Sequence, residues 1–218
     1  MQEVKPEEIQ LYEDCIETGS YFNSPIDQIE SLISKGYIPL PWQWKFHSAC
    51  RECDKQGGPG KSHAVLSQIG LDDCQRMPKL KCLFLRQTGK SAQESFEDLI
   101  DKTLRGRVNY DYAPSRGVLK FENGSRILLG GFETEKDIDK YIGIEYDLIA
   151  IEELNQLGGE KVNKLEGSLR TSKDNWRPRM YTSFNPGGVG HKEVKATYIE
   201  PYRAHNEIKT RFIPSTYK

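Results

Sequence analysis

Short apolar runs of strand length alternate along this chain with stretches of helical spacing, and that alternation constrains its fold more than any other feature. Residues 79–86 (KLKCLFLR) read as a buried strand, and Ser91 to Arg105 as the amphipathic helix that follows it. Residues 118–121 and 126–130 read as strands flanking Glu122, Asn123, Gly124 and Ser125, whose Asn-Gly pair marks a tight hairpin. A further apolar strand covers 147–152, a helix 160–170, a strand 179–184, a helix near 192–199 and a strand near 207–213. Upstream, residues 6–35 carry two short helices, the second opened by Ser24 and Pro25 as cap and first-turn proline. This is the order of an α/β sheet. Nothing repeats, and no linker divides the chain.

Composition closes some alternatives. The 218 residues suit one large domain, and 31 basic against 32 acidic residues leave any basic surface local rather than global. No run approaches the ~20 apolar residues of a membrane span. Early acids at Glu3, Glu7 and Glu8 do not fit a signal peptide, so the chain reads as cytosolic. Five cysteines, an odd number in a chain of this size, read as reduced thiols. His47, Cys50 and Cys53 look like half a zinc site, but Cys74 and Cys82 are too far apart for the usual second half.

Residues 57–63 read GGPGKSH. A Gly-Lys-Ser triplet opening a helix is the core of a phosphate-binding loop, where backbone N–H groups and the helix dipole favour an anion. Gly58 and Gly60 would let the backbone approach phosphate, Lys61 would neutralise its charge, and the Ser62 hydroxyl would sit on Mg²⁺. The fuller pattern departs from this in two ways. Lys55 stands where the loop's first glycine belongs, and residues 48–56 (SACRECDKQ) hold no apolar strand to launch the loop. The expectation is that a strand and the first half of the loop are missing between about Lys55 and Gly58.

Residues 146–153 read YDLIAIEE, an apolar strand running into two carboxylates. Ligands of α/β sheets bind at the carboxyl ends of strands, and adjacent strand residues face opposite ways. The two acids can therefore take separate tasks, Glu152 holding Mg²⁺ and Glu153 acting as general base on an attacking water. Two solvated acids at a strand end are the plainer reading. The Gly-Lys-Ser triplet upstream favours the catalytic one.

Other segments make the pattern more specific. In order they are PWQWKFHSA (41–49), LFLRQTGKSAQESFEDL (83–99), LKFENGSRILLGGF (119–132), KYIGIEYDLIAIEEL (140–154), GSLR (167–170) and YTSFNPGGVGH (181–191). Over residues 38–215 this series resembles the ATPase domain of terminase large subunits, the viral DNA-packaging ATPases. The resemblance implies an additional-strand, RecA-like P-loop NTPase with a mainly parallel central sheet flanked by helices. It implies ATP and Mg²⁺ as cofactors and translocation of double-stranded DNA into a procapsid in the host cytoplasm. Its partners would be the portal and the small terminase subunit, with a homo-oligomeric ring as the active form. Gln43 would read adenine, since an amide matches a donor–acceptor edge. Ser183 and Asn185 would sense the γ-phosphate and couple hydrolysis to movement. Arg86 would pair with phosphate or with Glu152, and Arg170 is a weaker candidate of the same kind.

The same comparison marks departures. One family arginine falls in the incomplete loop; another, in a Tyr-Arg-Gly element, is replaced in Tyr141-Ile142-Gly143, leaving Lys140 as the nearest cation. The expected division is an N-terminal helical segment over 1–40 and an ATPase domain over 41–218, with the family's nuclease domain absent. Two alternatives stand beside the motor: a helicase-like ATPase, which Glu152-Glu153-Leu154-Asn155 fits poorly, and a hydrolysis-deficient nucleotide-binding assembly module.

Overall fold

A computed structural model describes residues 26–52, 54–58, 62–87, 92–185, 187–207 and 210–214. Among these, eight strands follow in chain order: β1 (Lys55–Gly58), β2 (Lys81–Gln87), β3 (Tyr110–Ala113), β4 (Val118–Phe121), β5 (Arg126–Phe132), β6 (Leu148–Ile151), β7 (Arg179–Ser183) and β8 (Thr210–Phe212). They form one sheet in the order β3-β4-β5-β2-β6-β7-β1-β8. From β5 to β8 every pairing is parallel, and β4 and β3 extend the sheet as an antiparallel edge. β7 lies between β1, which leads into the Gly-Lys-Ser segment, and β6, which ends in the paired acids. That inserted strand defines the additional-strand P-loop class, and the expected fold holds.

Parallel strands need crossovers, and helices supply them on both faces of the sheet, so the central strands are buried on both sides and β6 (LIAI) is apolar throughout. Every residue of β6 and β7 is buried. On one face Cys82, Phe84, Leu148, Ala150 and Tyr181 pack with Leu66 and Ile69 of the helix that begins at Ser62. On the other, Leu83, Leu85, Ile149, Ile151 and Met180 pack with Leu165 of helix Gly159–Glu166 and with Val194 and Tyr198. The Asn-Gly hairpin forms as expected between β4 and β5. Gly124 takes φ +83°, which glycine adopts without strain, and Asn123 Nδ2 donates to the Cys74 carbonyl at 2.6 Å.

The strand ahead of the Gly-Lys-Ser segment, expected to be missing, is present. Residues 41–52 are helical, and β1 follows at once, with Gln56 in register with Tyr181 and Arg211 on its two sides. It escapes an apolar reading because its neighbours fill its side-chain space. A Cβ on Gly57 would lie 2.7 Å from Phe184, 2.7 Å from Thr182 and 2.8 Å from Tyr198. Lys55, standing at the loop-glycine position, opens the strand and pairs with Glu166 at 2.7 Å.

The helix beginning at Ser62–Ser67 widens into a π-helical stretch, Gln68–Asp73, before ending at Cys74–Arg76. Single-turn π geometry of this kind often accompanies functional sites. Its buried Gln68, Asp72 and Asp73 hold a polar network. His47 Nδ1 meets Gln68 Oε1 at 2.7 Å and His47 Nε2 meets the Tyr37 hydroxyl at 3.1 Å, so both ring nitrogens are engaged. Arg51 pairs with Asp72, and Tyr181 donates to Asp73 at 2.8 Å. Cys50, Cys74 and Cys82 are buried free thiols, and no metal-binding cluster of His, Cys, Asp and Glu occurs among the described residues. The first predicted helix, Ser24, Pro25 and Cys53 lie outside the described residues. The second helix, Ile26–Ile33, buries Leu32 in the same core, and Gln28 Nε2 donates to the His47 carbonyl at 2.8 Å. Tyr110–Ala113 is a strand that the sequence pattern does not announce.

Candidate active site

Register brings the candidate residues into one row. Gly58 is paired with Ser183, Thr182 with Ile151, and Ile151 with Leu85. One residue further along, Glu152 N–H donates to the Leu85 carbonyl at 2.8 Å, and Arg86 is paired with Gly131. Gly58, Ser183, Glu152 and Arg86 thus lie side by side across the carboxyl ends of β1, β7, β6 and β2. Residues in register on parallel strands share a face. This row continues the face of Phe84, Ala150 and Tyr181, which the helix beginning at Ser62 covers. Ser62 and Glu152 meet for that reason.

Glu152 is buried, and its carboxylate has two different oxygens. Oε2 lies 3.2 Å from Arg86 Nε in an ion pair, while Oε1 has no hydrogen-bond partner among the described residues. Burial pushes the Glu152 carboxyl above the usual range; the Ser62 hydroxyl and the Arg86 charge oppose that rise, and Glu153 adds to it. An orphaned buried carboxylate oxygen beside a hydroxyl is a donor set that suits Mg²⁺, which takes few protein ligands. Glu153 is exposed and sits at φ +54°, ψ +42°, a left-handed conformation uncommon for a residue with a Cβ. Such a conformation at a strand end re-aims the side chain away from the alternation of β6 and is typical of functional turns.

Asn155, which sequence reasoning passed over, closes that turn. Its side chain is buried, its Oδ1 accepts the Asn185 N–H at 3.1 Å, and its carbonyl accepts the Gly190 N–H at 2.9 Å. One residue therefore ties the Glu152–Glu153 turn to the segment leaving β7. Its only trace in the sequence is a polar residue two positions beyond the paired acids.

The other candidates fall as follows. Ser183 is buried at the end of β7 and Asn185 is exposed beyond it. Gln43 is buried at the start of helix Pro41–Glu52, where its Oε1 accepts the Leu40 N–H at 2.7 Å, a helix-capping bond. The Tyr37 and His63 rings lie 5.7 Å apart at a tilt of 34°, so the segment leading to Gln43 borders the helix that begins at Ser62. Gly60 and Lys61 lie outside the described residues. Arg170 is not part of the site. Its N–H donates to Tyr146 and its side chain faces Glu145, because the Tyr146–Leu169 bridge lies at the amino end of β6, the far edge of the sheet. Lys140 is exposed and rests 5.1 Å over the ring of Tyr141.

Fold and site together define an additional-strand P-loop protein with paired acids on the strand beyond the inserted one. The family model described as phage terminase large subunit matches residues 56–218. The chain belongs to that family. A solved large terminase of a thermophilic bacteriophage, in complex with ADP, superposes with a TM-score of 0.59 at 14% identity, covering 88% of this chain and 45% of that one. The ATPase domain of the Thermus phage P74-26 large terminase, as a point variant, gives 0.62 at 15% identity, covering 88% and 86%. The large terminase of bacteriophage HK97 gives 0.55 at 9%, covering 88% and 42%. The chain therefore spans less than half the length of the full large terminases it resembles. A comparison with curated proteins returned no match.

Proposed function

We propose that this chain is an ATP-hydrolysing motor domain that powers translocation of double-stranded DNA into a procapsid. The observation that carries the proposal is the cross-strand row Gly58, Ser183, Glu152, Arg86 beneath Ser62, which sets a phosphate-loop strand and a buried carboxylate at one end of the sheet. The Ser62 hydroxyl and Glu152 Oε1 would hold Mg²⁺. Bound there, the ion supplies positive charge to the phosphate oxygens as charge develops on them. Gly58, Gly60 and Lys61 would cradle the phosphates, and the Arg86 charge opposes the upward push of burial on the Glu152 carboxyl. Glu153 would accept a proton from the attacking water, its exposed carboxylate being free of the buried pair. Ser183, between Gly58 and Glu152, and Asn185, held by Asn155, would report the presence of the γ-phosphate to the segment after β7. Gln43 would face adenine from the start of its helix.

Arg86 is engaged by Glu152, and Ile142 stands where the family carries an arginine. A stabilising cation would then come from a neighbouring subunit, with Lys140 the closest candidate within the chain; this favours a ring as the active form. The portal, the small terminase subunit and the host cytoplasm follow from the same reading. A second reading, a hydrolysis-deficient nucleotide-binding module, draws on the short connection: only residues 59–61 separate β1 from the helix at Ser62. ATP hydrolysis by the parent and by Glu153→Ala separates the two. The motor reading expects an active parent and a variant slower by about 10²-fold or more. An inactive parent overturns it, and an active variant removes Glu153 as base.

A further inference from the structure

Helices cover the second face of the sheet over β1, β7, β6 and β2, and on β5 that cover, from Ile138 and Tyr141, reaches only the carboxyl half at Gly130 and Phe132. Leu83 is buried on this face, whereas Leu128, in register with it on β5, and Val118, in register with Leu128 on β4, are only half-buried. Beside that thinning apolar floor runs a second cross-strand row. Lys81 is in register with Arg126, Arg126 with Lys120, and Lys120 with Asp111. Arg116, from the connection between β3 and β4, joins them around an open groove of about 350 Å³. The groove has four cations and a single acid. Arg116, Lys120 and Arg126 are exposed, and Lys81 lies 5.3 Å over the ring of Tyr146. None of the four forms an ion pair among the described residues, although most other arginines of the described sheet and helices do.

Cations lined up at strand spacing on an open sheet repel one another and are seldom left uncompensated; a polyanion relieves them. Strands lie about 4.8 Å apart, so Lys81, Arg126 and Lys120 span about 10 Å, roughly the axial rise of three phosphates along one DNA strand. We propose that this row and Arg116 grip the sugar–phosphate backbone of a DNA duplex. The proposal rests on the motor reading and adds to it the surface that holds the substrate. Strand-borne side chains suit the task, since they are fixed in spacing and contact phosphate without reading bases. The row lies at the amino ends of β2 and β5, so the grip and the nucleotide row occupy opposite ends of the same strands. A shift of β2 or β5 driven at Arg86 would then move Lys81 and Arg126 with it.

The test is binding of a fluorescent 30-base-pair duplex to the whole chain between 50 and 200 mM salt, for the parent, Lys120→Ala/Arg126→Ala, and a control, Lys136→Ala, which removes an exposed cation elsewhere. Each phosphate contact contributes about 0.9 to the slope of log affinity against log salt. Losing two should lower the slope by about 1.8, so affinity falls about tenfold less across that range. The charge-conserving Lys120→Arg/Arg126→Lys should restore the slope, and thermal unfolding of the variants should match the parent. A double variant with the parent's slope overturns the grip while leaving an ATP-hydrolysing parent as a motor. Preference of the parent for polyglutamate over duplex also overturns it, assigning the row to an acidic protein. An inactive parent that binds no duplex overturns both readings.

Discussion

Gly57→Ala is a single methyl placed where β1 has no room for it. The added carbon would sit 2.7–2.8 Å from Phe184, Thr182 and Tyr198, against the 3.4–4 Å of ordinary contact. None of the three can step aside. All are buried, Phe184 is stacked on Phe212 at 5.8 Å, and it also packs on Tyr198 at 5.2 Å. Overpacking of this kind costs about 1–3 kcal/mol, and three immobile neighbours argue for the upper end. The loss of unfolded-chain freedom on replacing glycine returns about 0.4–1 kcal/mol. The net expectation is a destabilisation of about 2 kcal/mol, or a Tm lower by about 4–8 °C for a domain of this size. Thermal unfolding followed by circular dichroism reads it directly. The cause is checked by Gly57→Ala/Phe184→Leu, in which the smaller side chain vacates the methyl's space. The double variant should be more stable than the sum of the two single losses predicts, by about 0.5–3 kcal/mol. An unchanged Tm for Gly57→Ala, or strict additivity in the double variant, would refute the account of why this strand is glycine-rich.

Three further outcomes follow. Arg86→Ala removes the cation 3.2 Å from Glu152; a fully buried pair broken this way costs about 3–5 kcal/mol, and the partial exposure of Arg86 reduces that to about 1–3. The Glu152 carboxyl then rises further, so the acid limb of the ATPase pH profile should move to higher pH, with Arg86→Lys intermediate; a limb that stays put contradicts the pairing. Asn155→Ala leaves the Asn185 N–H without its acceptor and should lower kcat more than it raises KM, at about 1–2 kcal/mol in stability, while Asn155→Asp retains the acceptor and most of the activity. Equal kcat for the alanine variant would reduce Asn155 to a structural residue. In the polar network, burial and then Asp72 raise Asp73 to about 6, so its contribution to stability is full below about pH 4 and is lost as pH rises through 6. Burial lowers His47 to about 4, so its contribution is full above about pH 6.5 and is lost as pH falls through 4. The two oppose each other between pH 4 and 6. Asp73→Asn should therefore make stability, measured by urea unfolding, rise more steeply with pH than in the parent, and a shallower rise would contradict the assignment.

Much of the fold was legible because β2, β6 and β7 are buried on both faces and carry their burial in their own side chains. β1 was not, since its burial is imposed by Phe184 and Tyr198, which lie far away in sequence. The same inversion led to the expectation of a deleted strand. β3 is half-exposed on a sheet edge, where Tyr110–Ala113 has little to alternate against. The π-helical stretch leaves no pattern, as its extra residue per turn is stabilised by Gln68 and Asp72 finding His47 and Arg51 in three dimensions. Within the site, the Glu152 and Glu153 pair was legible from composition and place. Arg86 was named with two possible partners, and only the pairing of Leu85 with Ile151 brings its guanidinium to Glu152. Asn155 and the cationic row share that dependence: both become visible once strand register is known.

The central claim is that nucleotide binds across the carboxyl ends of β1, β7 and β6. A crystal structure of the chain with Mg²⁺ and a slowly hydrolysed ATP analogue tests it most directly. The account predicts the terminal phosphate between Ser62, Ser183 and Glu152, with Glu152 Oε1 turned toward the metal and adenine beside Gln43. Nucleotide bound elsewhere, or phosphates that leave the Glu152–Arg86 pair and Ser62 untouched, would contradict it.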